Sequence, residues 1–218
     1  MSPQARRWPA RLDRAVAHLR DADPVLRELI DSVGDLGARG GRRGLSPDDH
    51  YGALVRAIIG QQLSAKVAAV MNARLLERYD GRPPTPAEVL AEDAEELRAA
   101  IGLSRAKVSF LRSLAEHVED GSLELERMGK LSDEDVIAEL VAVKGIGEWT
   151  AHMFLIFHLQ RPDVLPVGDL GVRTAIRDAY GLDELPGPTE MTRIAEPWRP
   201  HRSTAARFLW RSLDNEPA

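Results

Sequence analysis

Apolar positions recur at three- and four-residue spacing along almost the whole chain. Leu12, Val16 and Leu19, then Val25, Leu26, Leu29, Ile30 and Val33, each line one face of a helix. This predicts two short helices at the start, followed by a Gly- and Arg-rich loop over 34–44. Ser46, Pro47, Asp48 and Asp49 then offer an N-cap, a proline at the first helical position and an acid at the third, opening a buried helix through Leu54, Val55, Ile58 and Ile59. Ser64 is placed to cap a helix carrying Val67, Val70, Met71 and Leu75. Thr85, with Pro86 after it and Glu88 three residues on, has the capping-box pattern. Ser104 precedes Val108, Leu111, Leu114 and Val118, and Ser132 precedes a helix ending near Val143. Helices over 149–159, 170–180, 191–196 and 203–213 bring the set to about ten. There is no period-two alternation, no Asn-Gly turn and no internal repeat, so the fold class is all-α and a compact bundle is favoured over a solenoid.

Composition narrows the chemistry more than the fold. The 218 residues, 44% hydrophobic and 29% charged, suit one large or two small packed domains rather than a disordered chain. With 0 Cys there is no disulfide, iron–sulfur cluster, zinc ribbon or thiol nucleophile. The longest apolar run, 153–159, is broken by His158 and too short to cross a bilayer, and the first 14 residues are polar and Arg-rich without a signal core, which points to the cytoplasm. A net charge of -5 argues against a surface coated in positive potential, so any nucleic-acid contact must be local. Two basic stretches qualify: Arg39, Arg42 and Arg43 in the Gly-rich loop, and residues 193–211, where five Arg face only Glu196.

The most informative stretch is Leu140, Val141, Ala142, Val143, Lys144, Gly145, Ile146, Gly147, Glu148, Trp149, Thr150 and Ala151. One helix must stop at the glycines and another start directly after them, because Gly145 and Gly147 permit a tight turn whose backbone N–H groups lack helical partners. Such a turn is either a plain corner with glycine at the C-cap or an anion site at the positive end of the second helix dipole, for which a DNA phosphate is the natural ligand.

The apolar and glycine positions of this segment resemble the helix-hairpin-helix motif. Downstream, Pro162, Asp163, Val164, Leu165, Pro166, Val167, Gly168, Asp169 and Leu170 resemble the Pro-rich loop and aspartate of the helix-hairpin-helix (HhH-GPD) DNA glycosylases. Gln61, Gln62, Leu63 and Ser64, then Gly102, Leu103, Ser104 and Lys107, and Trp198, Arg199, Pro200, His201, Arg202 and Ser203, resemble the alkylpurine subgroup, the DNA-3-methyladenine glycosylase II type. Five separated motifs fall in order across roughly residues 45–213.

That resemblance implies a two-lobed helical bundle with the active-site cleft between its lobes: residues 50–165 as a six-helix lobe with the hairpin at 131–159, and residues 1–49 together with 166–218 as the other. It implies a monofunctional glycosylase that flips alkylated purines out of double-stranded DNA and hydrolyses the N-glycosidic bond, starting base excision repair near the nucleoid, as a monomer without a membrane partner. It places the catalytic carboxylate at Asp169, which by position alone is an N-cap for the helix over 170–180. Breaking the glycosidic bond leaves positive charge on the sugar, which a fixed carboxylate stabilises. An alkylated purine already carries positive charge, so one carboxylate suffices; the nearby Asp163 reads as a loop cap.

Trp149 and Trp198 are pocket walls for the extruded base or simply core, and the resemblance adds Met153 and Leu170 to the pocket. It assigns DNA contacts to Gln61, Gln62, Leu63 and Ser64, with Gln62 or Leu63 as the wedge that fills the vacated stack, and to Lys144, Gly145, Gly147 and Thr150 at the hairpin. Arg202 and Ser203 contact a phosphate or fix the Trp198 loop. No cofactor or catalytic metal is implied, a monovalent cation at the hairpin being the one candidate. Relatives with strand-cleaving activity carry a lysine nucleophile where this chain has Trp149, which argues against a lyase step. Nothing before Ser46 reads as the β-rich domain of longer relatives. The other function class in view is a catalytically weak DNA-damage-binding protein on the same fold.

Overall fold

Side-chain caps set most helix boundaries in the computed structural model, which describes residues 3–36 and 49–213. Helices α1 (Pro3–Ala22) and α2 (Pro24–Val33) are followed by α3 (His50–Gly60), α4 (Ala65–Arg78), α5 (Pro86–Ala91), α6 (Ala94–Ile101) and α7 (Arg105–Glu119). After a 3-10 turn at Leu125–Lys130 come α8 (Asp133–Val141), α9 (Glu148–Met153) and a π-helical turn at Phe154–His158. The chain closes with α10 (Leu170–Tyr180), α11 (Pro188–Ile194), a 3-10 turn at Glu196–Trp198 and α12 (Arg202–Ser212). No strand occurs among the described residues, as the all-α reading requires. No described helix is long and apolar enough to cross a membrane.

The caps fall where the residue types predict. Thr85 and Glu88 close a full capping box on α5, and the hydroxyls of Ser64, Ser104 and Ser132 accept from Val67 N, Lys107 N and Asp135 N. The Gly- and Arg-rich loop with Arg39, Arg42 and Arg43, and Ser46, Pro47 and Asp48 of the expected cap, lie outside the described residues. The described helix there starts at His50, with Asp49 Oδ1 accepting Gly52 N at 2.7 Å.

Three elements differ from the pattern. Helix α6, capped by Asp93 on Glu95 N and Glu96 N and ended by left-handed Gly102, was hidden because its two buried positions, Leu97 and Ile101, are too few to show a period. The helix expected over 149–159 changes to π geometry at Phe154, where His158 Nε2 lies 2.8 Å from His50 Nδ1 and Phe154 stacks on His158. The helix expected over 191–196 begins earlier, at Pro188, whose fixed φ suits a first helical position, and gives way to the 3-10 turn at Glu196.

The chain separates into two compact units. The central unit, described over 49–160, contains α3 to α9, with a core of Leu54, Ile58 and Ile59 from α3, Leu97 and Ile101 from α6, and Leu111 and Leu114 from α7. Each such side chain contributes about 1.5–3 kcal/mol on burial. Its described residues hold seven α-helices where six are expected, α6 being the addition.

The terminal unit is assembled from both ends of the chain, residues 3–36 and 161–213 among those described. Its boundary falls at 160/161 instead of 165/166 because residues 161–164 are fastened to α12: Ser203 Oγ donates to Arg161 O (2.7 Å) and accepts Val164 N (2.9 Å), and Ser203 N donates to Pro162 O (3.1 Å). At its centre Asp23 caps α2 through Oδ1, accepting Val25 N and Leu26 N, while Oδ2 accepts Trp198 Nε1 at 2.8 Å and the Tyr180 hydroxyl. Burial and the Asp23 carboxylate push the Tyr180 phenol well above its ordinary pKa, so it stays a donor.

Asp23→Ala removes the cap and orphans a buried indole N–H and a phenol, a loss of about 3 kcal/mol or more. At 2–4 °C per kcal/mol for a chain this size, thermal melts should show Tm falling by about 6–12 °C. A change under 2 °C would mean that the cluster is not central to stability.

Candidate active site

Asp169 ends the loop of Pro166, Val167 and Gly168, whose turn is closed by Asp169 N donating to Pro166 O at 2.9 Å. Its φ/ψ are extended and its side chain caps α10, with Oδ1 accepting Val172 N at 2.8 Å. The same oxygen accepts Trp210 Nε1, also at 2.8 Å. The carboxylate is only 6% exposed. A Cβ on Gly171 would sit 3.1 Å from both Asp169 Oδ1 and Trp210 Cδ1, so the absence of a side chain there lets the indole approach. Trp210 escaped the sequence reading, although a buried indole N–H needs an acceptor and a Trp in a C-terminal apolar helix was the available signal.

Asp163 has a different environment. Its carboxylate accepts Arg199 Nη1 (2.7 Å), Arg202 Nε (2.8 Å) and Arg202 N (3.3 Å), which makes it an ion-pair partner that also meets the first N–H of α12. Arg202 also donates Nη2 to Asp163 O at 2.7 Å, and its side chain is largely buried. Arg202 therefore takes the loop-fixing alternative rather than the phosphate contact. Ser203 is buried with its hydroxyl used twice inside the unit, which likewise corrects its reading as a DNA contact. Trp198 is 0% exposed with its N–H on Asp23, a core residue and not a pocket wall. Leu170, next to the carboxylate, is 64% exposed.

In the central unit the hairpin joins α8 to α9. Gly145 has φ +88, and a Cβ there would lie 2.1 Å from the Phe110 ring, so both backbone and space demand glycine. Gly147 caps α9 without any side-chain hydrogen bond, and a Cβ on it would meet nothing within 4 Å, leaving its backbone open to approach. Gln61 Nε2 donates to Gly145 O (2.9 Å) and to Thr150 Oγ1 (3.2 Å). Gln61 and Thr150 thus tie the α3–α4 turn to the hairpin; Thr150 is buried, which corrects its placement as a DNA contact, while Gln61 is partly exposed. Gln62, with φ +56, is exposed; Leu63 is half-buried and Ser64 is exposed.

Lys144 is exposed and donates Nζ to Ser109 Oγ at 3.0 Å. Lys107 Nζ donates to Ile59 O at 2.7 Å, closing the end of α3, and burial lowers its pKa. Trp149 is 40% exposed on α9, whereas Met153 is buried. His152 is buried, which pulls its pKa down against the opposing pull of Glu148, and keeps the ring neutral at pH 7. The hairpin offers backbone carbonyls of the kind a monovalent cation would take, and one of them, Gly145 O, accepts the Gln61 amide. No cluster of His, Asp or Glu able to hold a metal occurs among the described residues.

Known proteins are similar to this chain in sequence and in fold. DNA-3-methyladenine glycosylase 1 of Schizosaccharomyces pombe is 35% identical over 203 residues, covering 92% of this chain and 87% of that protein. DNA-3-methyladenine glycosylase 2 of Escherichia coli K12 is 32% identical over 191 residues, covering 82% of this chain and 64% of that one. The solved structure of the S. pombe 3-methyladenine DNA glycosylase in complex with abasic DNA superposes with a TM-score of 0.79, over 90% of this chain and 95% of that one. The model of the HhH-GPD superfamily of base excision DNA repair proteins matches residues 55–200. With a hairpin built on Gly145 and Gly147 and a buried carboxylate at Asp169, this chain belongs to that superfamily.

Proposed function

We propose that this protein is a monofunctional DNA glycosylase that turns alkylated purines of the 3-methyladenine kind out of duplex DNA and releases them by hydrolysis. The observation that carries this reading is the carboxylate of Asp169, buried and fixed by a backbone and an indole N–H on one oxygen. A carboxylate held in advance stabilises positive charge developing at C1′ without reorganising when the bond breaks. The alkylated base leaves with the bonding electron pair, which cancels its own positive charge, so no protonating acid is needed. Water adds its hydroxyl to C1′ and loses a proton to solvent, leaving an abasic site.

An exposed apolar side chain supports the reading, since Leu170 offers an aliphatic wall beside the carboxylate; in the central unit Trp149 is an exposed indole of the kind on which a cationic purine stacks, a contact worth about 0.5–2 kcal/mol. Gln62 is the wedge: it is exposed in a left-handed conformation that costs a non-glycine residue energy, while Leu63 is half-buried. The amides around Gly147 take a backbone phosphate. Position 149 carries an indole and no amine, so the product strand stays intact.

Single-turnover excision from methylated duplex tests the assignment. Asp169→Asn retains the acceptor oxygen and so the fold, but loses the charge, and its rate should fall on the order of a hundred- to a thousandfold with Tm within a few degrees. Asp163→Asn should show the reverse, a lower Tm at an unchanged rate, because its ion pairs are structural. If Asp163→Asn is the inactive variant, the assignment is wrong; if wild type releases no base yet binds damaged duplex, the chain is a damage-binding protein. Borohydride should trap no enzyme–DNA adduct.

The two hairpin glycines should separate folding from binding. Gly145→Ala meets Phe110 and a forbidden φ, so its melting temperature drops. Gly147→Ala should melt like wild type while its affinity for duplex falls, since the new methyl stands where the phosphate approaches. Equal duplex affinity in wild type and Gly147→Ala would remove the hairpin amides from the binding account.

A further inference from the structure

A cavity of about 410 Å³ opens in the central unit between α6, α7 and the first residue of the hairpin. Arg98, Arg105, Arg112 and Lys144 line it, with Glu95 and Glu116 as its acids, so it is cationic in a chain whose net charge is -5. The charge is not spread evenly. Glu116 stands eleven residues beyond Arg105 on α7, about 16 Å along the axis at 1.5 Å per residue and one turn from Arg112, which leaves Glu95 as the one acid beside Arg98 and Arg105. Arg112 is committed to structure, donating to Glu92 O at 3.1 Å and Leu90 O at 3.4 Å where α5 ends.

Arg98 and Arg105 are different. Both point an Nε at the carboxylate of Glu95, at 2.7 Å and 3.3 Å, which shows that an anion fits between them. Each guanidinium has five donors, and these contacts use one on each. All three side chains are exposed, and ion pairs of this kind are weak and readily exchanged.

The location supplies the ligand. Lys107 Nζ on Ile59 O sets the first turn of α7 beside the end of α3, and Gln61 ties the following turn to Gly145. The start of α7, the turn at 61–63 and the hairpin therefore share one end of the unit, and Lys144 belongs to both hairpin and cavity.

We infer that the cavity is a second phosphate seat for nucleic acid. Arg98 and Arg105 hold a backbone phosphate of the duplex beyond the one on the hairpin, Glu95 giving way to it. The inference rests on the glycosylase reading for its duplex ligand.

The test compares wild type, R98Q/R105Q and the control R82Q/R127Q, which removes two exposed charges elsewhere in the same unit. Affinity for abasic-site duplexes of increasing length is measured by anisotropy across a salt series, with base excision by wild type alongside. Wild type and control should gain affinity as the duplex extends past the hairpin. R98Q/R105Q should not, and its log–log salt slope should be flatter by about 0.9 per phosphate lost. If R98Q/R105Q follows the control at every length, the seat does not exist. Length-dependent binding by wild type without excision would sink the glycosylase reading and leave the seat standing; no duplex binding by wild type would overturn both. Melts in inorganic phosphate against chloride at equal ionic strength separate the sources. Stabilisation of wild type that R98Q/R105Q lacks, with equal duplex affinities, would assign the cavity to free phosphate and overturn the nucleic-acid assignment.

Discussion

Two N–H donors converge on one oxygen of Asp169, and the terminal unit is arranged to bring them there. Removing a carboxylate from water costs several kcal/mol unless its lone pairs are met, and hydrogen bonds to a charged group return about 1.5–3 kcal/mol each. The first donor comes free with the start of α10. The second comes from α12, so α12 must be held in position along its length. Its N-terminal end is clamped to the loop at 161–164 by Asp163, Arg202 and Ser203, and Gly171 leaves the room its indole needs. Residues that look like functional groups in the sequence are thus the mounting for Asp169. The arginines near the C-terminus also show why a local excess of positive charge is a poor guide to a DNA contact: two of the five there neutralise one internal carboxylate.

The central unit solves another problem, that of presenting backbone instead of hiding it. Gly145 is required by an inward constraint, the Phe110 ring, whereas the space at Gly147 faces outward. Two glycines separated by one residue thus do different work, one anchoring the hairpin and the other leaving its amides approachable. Gln61 fixes the neighbouring turn to the same hairpin, so the hairpin and Gln62 keep a set spacing.

Local chemistry was legible in the sequence and distant pairing was not. The capping box at Thr85 and Glu88, the serine caps and the hairpin glycines are written within four residues of one another, and each stands where its residue type placed it. The cap on α10 was legible for the same reason. The indole that completes the Asp169 site lies 41 residues away, and the carboxylate that makes Trp198 a core residue lies 175 away. No periodicity carries such a pairing. The same limit explains Gln61 and Thr150, polar residues beside a phosphate-binding motif whose partners turned out to be each other. Helix α6 was missed for a different reason: eight residues with two buried positions give too short a record of any period.

The terminal unit is discontinuous, and Asp23 near one end of the chain receives its donors from Tyr180 and Trp198 near the other. On the ribosome, where domains fold as their residues emerge, this imposes an order. The central unit is complete once residue 160 has left the exit tunnel. The opening helices, with Leu19, Leu26 and Ile30 uncovered, must wait for α10 to α12 before they have a core to join. The carboxylate of Asp169 gains its indole partner only when α12 has been synthesised. The hairpin is therefore made well before the surroundings of Asp169 are complete, and a chain stalled short of Trp210 would have the hairpin without the assembled carboxylate.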